Sequence, residues 1–265
     1  MKYISEPLRN ELRTRYYALH DKYNVDSIIK CRNIRMKSIV ENARINSYRI
    51  EHPHEGVPFS IPRNKHKKMI KTGINNLKNS FEWGIKNFNP AFFDEFFIRE
   101  LSGRILPTIS QGGKAPFRDI GVTISGATTT PPYPYKVINY EIPQFVSSLK
   151  EQLSNEGIIN QIEAAIFAHL HIARIHPFVD GNGRTARTLQ DVILDHYNVP
   201  LPLIEAGERL TYYSLLDEAV ADYKEKKSTN ERFSGASKGE KLFYDFIAGK
   251  INVSLDKVLH NQYHG

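Results

Sequence analysis

One cysteine, Cys31, stands in 265 residues. A single thiol excludes an intrachain disulfide and suits a reducing compartment. Its neighbourhood, IIKCRNIRM, reads as a helix, so Cys31 is expected to be a buried structural thiol rather than a nucleophile. No apolar run approaches the length of a transmembrane span. The opening residues MKYISEPLRNELR lack the apolar core of a signal peptide. These absences point to a cytoplasmic protein with no membrane partner. Internal repeats and low-complexity segments are missing too, which excludes solenoids and arrays.

The remaining composition is that of a folded domain: 40% hydrophobic and 25% charged residues. A chain of this length can bury a substantial core. Lys and Arg (36) exceed Asp and Glu (29), for a net charge of +7. That excess is compatible with an anionic partner such as a nucleotide. It is too modest to argue for nucleic acid, because the lysines gather in RNKHKKMIK (63–71) and YKEKKS (223–228), the pattern of solvated helix faces.

Helical periodicity dominates the chain. Leu8, Leu12 and Tyr16 share a face behind Ser5, a candidate N-cap, and Pro7. A second helix is expected over Asp26–Ile50, broken by EHPHEGVPFSIP (51–62), and a third over Lys65–Lys86. A fourth, AFFDEFFIRELSGRIL, is expected to turn Phe92, Phe96 and Ile105 to the core. Further helices are expected at Pro143–Leu153 and Ile158–Ile175, then from Arg184, Glu208 and Lys238. One stretch departs from this period: FRDIGVTISGATTTPPYPYKVI (117–138) alternates at Ile120, Val122 and Ile124 before Gly126 and a proline cluster. It reads as a short β-hairpin or extended flap. The expected fold class is all-α with one β excursion.

The densest chemistry lies in HPFVDGNGRTAR, His176 to Arg187. His176 can accept a proton near neutral pH, and Pro177 disfavours helical backbone at it. Phe178 suits an apolar peg. Gly181, Asn182 and Gly183 allow backbone N–H groups to approach a ligand closely. A helix beginning beneath them makes an anion site. Arg184 and Arg187, three apart, direct two cations to one region. Asp180 offers a carboxylate to Mg²⁺ bridging phosphates. Together these groups describe a magnesium–nucleotide site beside a general base. Each alone is ordinary turn or helix chemistry, but eight specified positions coincide by chance on the order of once in ten million or less. A zinc reading of His169, His171 and His176 fails on spacing, since residues two apart on a helix diverge and neither HExxH nor a cysteine partner is present.

HPFVDGNGR resembles the signature loop of Fic-domain proteins, HPFx[D/E]GNGR, at every fixed position. The likeness extends over roughly Phe92–Tyr223. It implies a Fic/Fido helical core (91–223) between an N-terminal helical region (1–90) and a C-terminal helical extension (224–265). It implies transfer of AMP from ATP, with Mg²⁺, to a hydroxyl of a protein target or of the chain itself, in a monomer or homodimer. On this resemblance His176 is the base and Asp180 the metal ligand. Gly181, Asn182, Gly183, Arg184 and Arg187 hold the phosphates. Val122, Thr123, Ile124, Ser125 and Gly126 form a flap that docks the target by strand addition. ERLTYYSLL (208–216) resembles the downstream helix NRxxYYxxL, with Glu208 where Asn is common, and implies a nucleotide contact at Tyr213. SYRIE, Ser47 to Glu51, resembles the inhibition motif [S/T]xxxE[G/N] of the N-terminal class, with His52 in the final position. There the glutamate pairs with the loop's second arginine, here Arg187. The alternatives are transfer of another phosphate-containing group, removal of AMP, or a non-enzymatic regulator that binds nucleotide or nucleic acid. An intact Gly183 argues against the phosphotransferase variant.

Overall fold

The computed structural model describes residues 3–22, 40–51, 63–229 and 235–259. In chain order its helices are α1 (Glu6–Lys22), α2 (40–51), α3 (Arg63–Asn87), α4 (Glu95–Ile105), a single turn α5 (Pro134–Lys136), α6 (Ile142–Leu153), α7 (Ile158–Ile175), α8 (Asn182–His196), α9 (Arg209–Ser228) and α10 (Lys238–Leu259). A π-helical turn, Val137–Glu141, joins α5 to α6. Among the described residues there is no strand, and only one isolated antiparallel bridge, Gln111 to Lys114. None of the described helices is long and apolar enough to cross a membrane. Cys31 and the first part of the expected second helix, 26–39, lie outside the described residues, as does His52.

Helix α7 explains the arrangement. Of its 18 residues 16 are buried, because it is apolar on nearly every face and must be covered all round. Helices α6 and α8 pack along it, and α1, α9 and α10 contact it as well. Its one buried acid, Glu163, is satisfied by the chain's start: it accepts from the N–H groups of Tyr3 and Ile4 (both 3.0 Å) and from Arg9 Nη1 (3.1 Å). A carboxylate buried there without those donors would be costly. The pairing holds α1 against α7, and α10 lies alongside α1 and α9.

Two expectations need correction. Phe92 and Phe96 do not face the core; they are 79% and 47% exposed. The reason is the cap. Asp94 accepts from the Phe97 N–H at 2.9 Å, so α4 starts at Glu95. Phe97, Ile98, Leu101 and Ile105 then form the buried stripe, with Phe93 buried just before the cap.

The β-hairpin over 117–138 is absent as well. Residues 121–124 do alternate between exposed and half-buried, but no second strand pairs with them. A tight turn brings the Ala127 N–H to the Ile124 carbonyl (3.1 Å), with Gly126 at φ 79°. The returning leg is held elsewhere. Thr128 donates its N–H and hydroxyl to Asp217 of α9, and Lys224 of α9 reaches the Thr130 carbonyl at 2.7 Å. Pro131 and Pro132 have no N–H to lend a ladder.

Candidate active site

The loop between α7 and α8 begins with a residue in an unusual backbone state. His176 sits at φ 51°, ψ 57°, the left-handed region, as the C-cap of α7. Its N–H bonds the Ile172 carbonyl (3.0 Å), and Pro177 prevents the helix from continuing. A non-glycine residue held there stores roughly 1–3 kcal/mol, and persists only if its surroundings fix it. The side chain is fixed too: Nδ1 lies 3.2 Å from the Ala173 carbonyl. A carbonyl can only accept, so the proton is on Nδ1 and Nε2 carries the lone pair. Burial pushes the imidazole below the usual histidine range, aided by Arg118 and opposed by Glu51 and Asp180. The neutral form, able to take a proton, is therefore favoured.

The rest of the loop is braced from within. Phe178 is fully buried and stacks on Phe117 at 5.7 Å. Asn182 closes the turn by reciprocal bonds, its Oδ1 accepting from the Phe178 N–H and its Nδ2 donating to the Phe178 carbonyl, each at 2.8 Å. Its amide is thus occupied, and only its backbone N–H remains for an anion. Gly181 at φ 79° lies so near Leu106 that a Cβ would come within 2.8 Å of Cδ1. Helix α8 starts here, leaving its first N–H groups without intrahelical partners. Arg184, 7% exposed, extends Nη2 to Asp180 (3.2 and 3.3 Å), while its buried Nε has no hydrogen-bond partner among the described residues.

Asp180 is the candidate metal ligand. Magnesium usually takes one or two carboxylates and completes its oxygen shell with phosphate and water. The Asp180 side chain fits that chemistry: it is 66% exposed at the rim of the loop, and one oxygen already accepts from the Gly181 N–H. Among the described residues no group of three or more His, Cys, Asp or Glu clusters as a complete protein cage.

Arg187 lies one turn further along α8, buried, with its donors divided between two helices, α2 and α9. Nε bonds the Ser47 hydroxyl (2.9 Å), and Nη2 bonds the Ser47 carbonyl (3.1 Å) and Glu51 Oε1 (2.6 Å). Nη1 donates to the Tyr212 hydroxyl at 3.2 Å. Tyr212 is fully buried, and its oxygen also lies 2.8 Å from His169 Nε2. Burial pushes His169 down to about 3, so it is neutral. Its Nδ1–H then donates to Gln190 (2.8 Å) and its Nε2 accepts from Tyr212. The relay Arg187 to Tyr212 to His169 to Gln190 orients the guanidinium. Burial would pull Arg187 down, yet the surrounding Tyr212 and Glu51 raise it overall.

The sequence-selected Ser47, Glu51 and Arg187 therefore meet, 140 and 136 positions apart. Glu51 also occupies the glycine turn: a Cβ on Gly183 would fall 2.2 Å from its Oε1. Two residues of α9 were missed by sequence reasoning. Arg209 Nε bonds the Ile50 carbonyl (2.8 Å), holding the end of α2, and its guanidinium lies over Tyr213 at 5.0 Å. Tyr212 is the other; the adjacent tyrosines of ERLTYY were the available signal, and Tyr213 is the half-exposed one. Glu208, the departure from the common Asn, is paired with Lys250 of α10. His171 lies against Phe167 (4.1 Å) and accepts from Arg174 Nε (3.2 Å).

Comparison with known proteins adds an independent line. Residues 92–194 match the profile described as the Fic/DOC family. The chain is similar to a protein adenylyltransferase Fic of Nematostella vectensis, 44% identical over 62 residues, which is 23% of this chain and 14% of that protein. It is similar to a protein adenylyltransferase Fic of Drosophila grimshawi, 31% identical over 121 residues, covering 45% and 24%. The chain thus matches less than a quarter of the length of these curated relatives. In fold it resembles a Fic domain containing signaling protein of Bacteroides thetaiotaomicron (TM-score 0.66, 20% identity), with 96% of this chain and 100% of that one aligned.

Proposed function

From the match of residues 92–194 to the Fic/DOC family we propose that this chain is a protein adenylyltransferase. It would transfer AMP from ATP to a hydroxyl side chain of a protein, restrained by Glu51. The observation that carries the reading is the loop itself. A neutral histidine whose Nε2 carries the lone pair stands at the end of α7, six residues before Asn182, where α8 opens with its two buried arginines. The curated relatives that share this region are named for the same activity.

The chemistry follows from positioning and charge. His176 Nε2 takes the proton of the acceptor hydroxyl. The freed oxygen forms a bond to the α-phosphorus, and the bond from that phosphorus to the oxygen bridging to the β-phosphate breaks, so pyrophosphate leaves. Backbone N–H groups of Asn182 and Gly183 receive the α-phosphate, Arg184 the β- and γ-phosphates, and Arg187 the γ-phosphate once Glu51 has withdrawn. Magnesium, held by Asp180, would neutralise charge across the phosphates when bound. Tyr213, beside Arg209, would flank the base. A reducing cytoplasm is the compartment the lone cysteine favours. Exposed Tyr133, Tyr135 and Tyr140 supply acceptors for self-modification.

The test is the position of the label. Incubation of the full chain with Mg²⁺ and ATP labelled at the α-phosphate is expected to leave label on protein, whereas γ-labelled ATP leaves none. Label arriving from the γ-position alone would replace this reading with a phosphotransferase.

The flap belongs to the same proposal. The N–H groups of residues 121–124 bond nothing among the described residues, which leaves them available to an extended target chain. Thr123→Pro removes one of them. It is expected to reduce target labelling up to about tenfold, the upper worth of a single lost neutral hydrogen bond, with ATP affinity unchanged by calorimetry. Equal losses in labelling and affinity would make the segment a structural loop only.

A further inference from the structure

We infer that Arg118 is a positioning residue for transfer, tying the backbone of His176 to the segment 120–132 so that base and acceptor hydroxyl share one frame. The inference rests on the transferase reading and extends it to a residue with no assigned role. Arg118 is 1% exposed and among the largest fully buried side chains of the protein. Its donors all end on backbone carbonyls. The main-chain N–H bonds the Pro177 carbonyl (2.9 Å) and Nε bonds the His176 carbonyl (2.7 Å). Nη1 bonds the Ile120 carbonyl (2.9 Å) and Nη2 the Pro132 carbonyl (2.5 Å). Among the described residues no carboxylate pairs with it.

Packing alone does not account for this. Burying a cation without a counter-ion is expensive, and an apolar side chain would fill the space without that penalty. What a guanidinium adds is a rigid planar fork able to hold several acceptors in fixed directions. Here one arm holds the carbonyl of the single residue in the loop that is both strained and proton-accepting. The other two hold carbonyls at 120 and 132, on either side of the proposed target-binding residues 121–124. A left-handed histidine needs external restraint, and Arg118 supplies it from the element that must be aligned with it. The same cation lowers the His176 imidazole, in the company of Glu51 and Asp180, which raise it, and the Ala173 carbonyl bonded to its Nδ1.

Two substitutions in the full chain separate fork from charge. Arg118→Lys keeps the charge and loses the fork; Arg118→Gln loses both. Each is expected to slow self-labelling from α-labelled ATP on the order of 10²-fold, the scale of a misplaced reacting group, while ATP affinity stays within twofold. In Arg118→Gln alone, the acid limb of the rate moves to higher pH, because removing a nearby cation raises the histidine. A turnover-independent measurement accompanies these: NMR titration of the His176 ring, expected to shift upward in Arg118→Gln and stay in place in Arg118→Lys. Amide exchange over 178–183 is expected to quicken in both. Native rates in both variants, losses in rate matched by losses in ATP affinity, or a His176 titration unmoved in Arg118→Gln would each overturn the proposal. Should neither the native chain nor its Glu51→Gly form label anything while the NMR shift and exchange appear, the transferase reading fails and the Arg118 restraint stands.

Discussion

His176→Ala is expected to lower AMP transfer by about 10²–10⁴-fold, the usual size of a lost general base. The fold should be retained, since the imidazole is half-buried at the loop and, among the described residues, its side chain bonds only Ala173. Nucleotide affinity should change little, because no phosphate contact is assigned to this side chain. The pH profile of the native chain follows from the direction of its titration. Burial lowers His176, so the base stays neutral below the ordinary histidine value, and the rate should fall only in more acid solution. Labelling at the native rate in His176→Ala would remove the proton-accepting role. An acid limb above the ordinary histidine range would contradict the buried, cation-flanked environment.

Glu51→Gly is the second large effect, in the opposite direction. A charge-assisted bond to a buried arginine is worth roughly 1.5–3 kcal/mol, so its loss is expected to raise self-labelling and target labelling about 10–100-fold. The increase should fall on turnover more than on ATP affinity. Glu51 lies over the glycine turn and on the guanidinium assigned to the γ-phosphate, and ATP bound beside it would present the α-phosphorus badly. Ser47→Ala should act in the same sense and more weakly, since Arg187 keeps its bond to the Ser47 carbonyl. Arg187→Ala should not activate, because the same side chain serves inhibitor and phosphate. Unchanged labelling in Glu51→Gly, with His176 still essential, would leave the transferase and remove the restraint.

Some of this was legible without coordinates. The nine residues His176–Arg184 carry their chemistry in consecutive positions, and turn geometry there is local: proline after histidine, glycines at 181 and 183, an asparagine between them. Helices α7 and α10 began at the residues that periodicity indicated, because long apolar patterns and their breakers are properties of neighbours. Phe92 and Phe96 went astray for the same local reason applied too early. The stripe was counted from Ala91, whereas Asp94 caps the helix and resets its phase to Phe97.

Chain order alone specified the fold class and the candidate loop, since each depends on side-chain type at fixed spacing; the pairing of Glu51 with Arg187 was implied only by the resemblance to the inhibition motif. It could not specify who answers whom across the fold. Arg118 meets His176 from 58 positions away, Arg209 meets Ile50 from 159, and Tyr212 meets Arg187 from the third helix in the site. The apolar alternation at 120–124 foretold extended backbone, but pairing needs a second strand, and packing gave the opposite leg to Asp217 and Lys224 instead. Hydrogen-bond partners for a buried cation are chosen by which carbonyls the packed helices bring within about 3 Å. That choice is made by the tertiary structure, because no spacing along the chain encodes it.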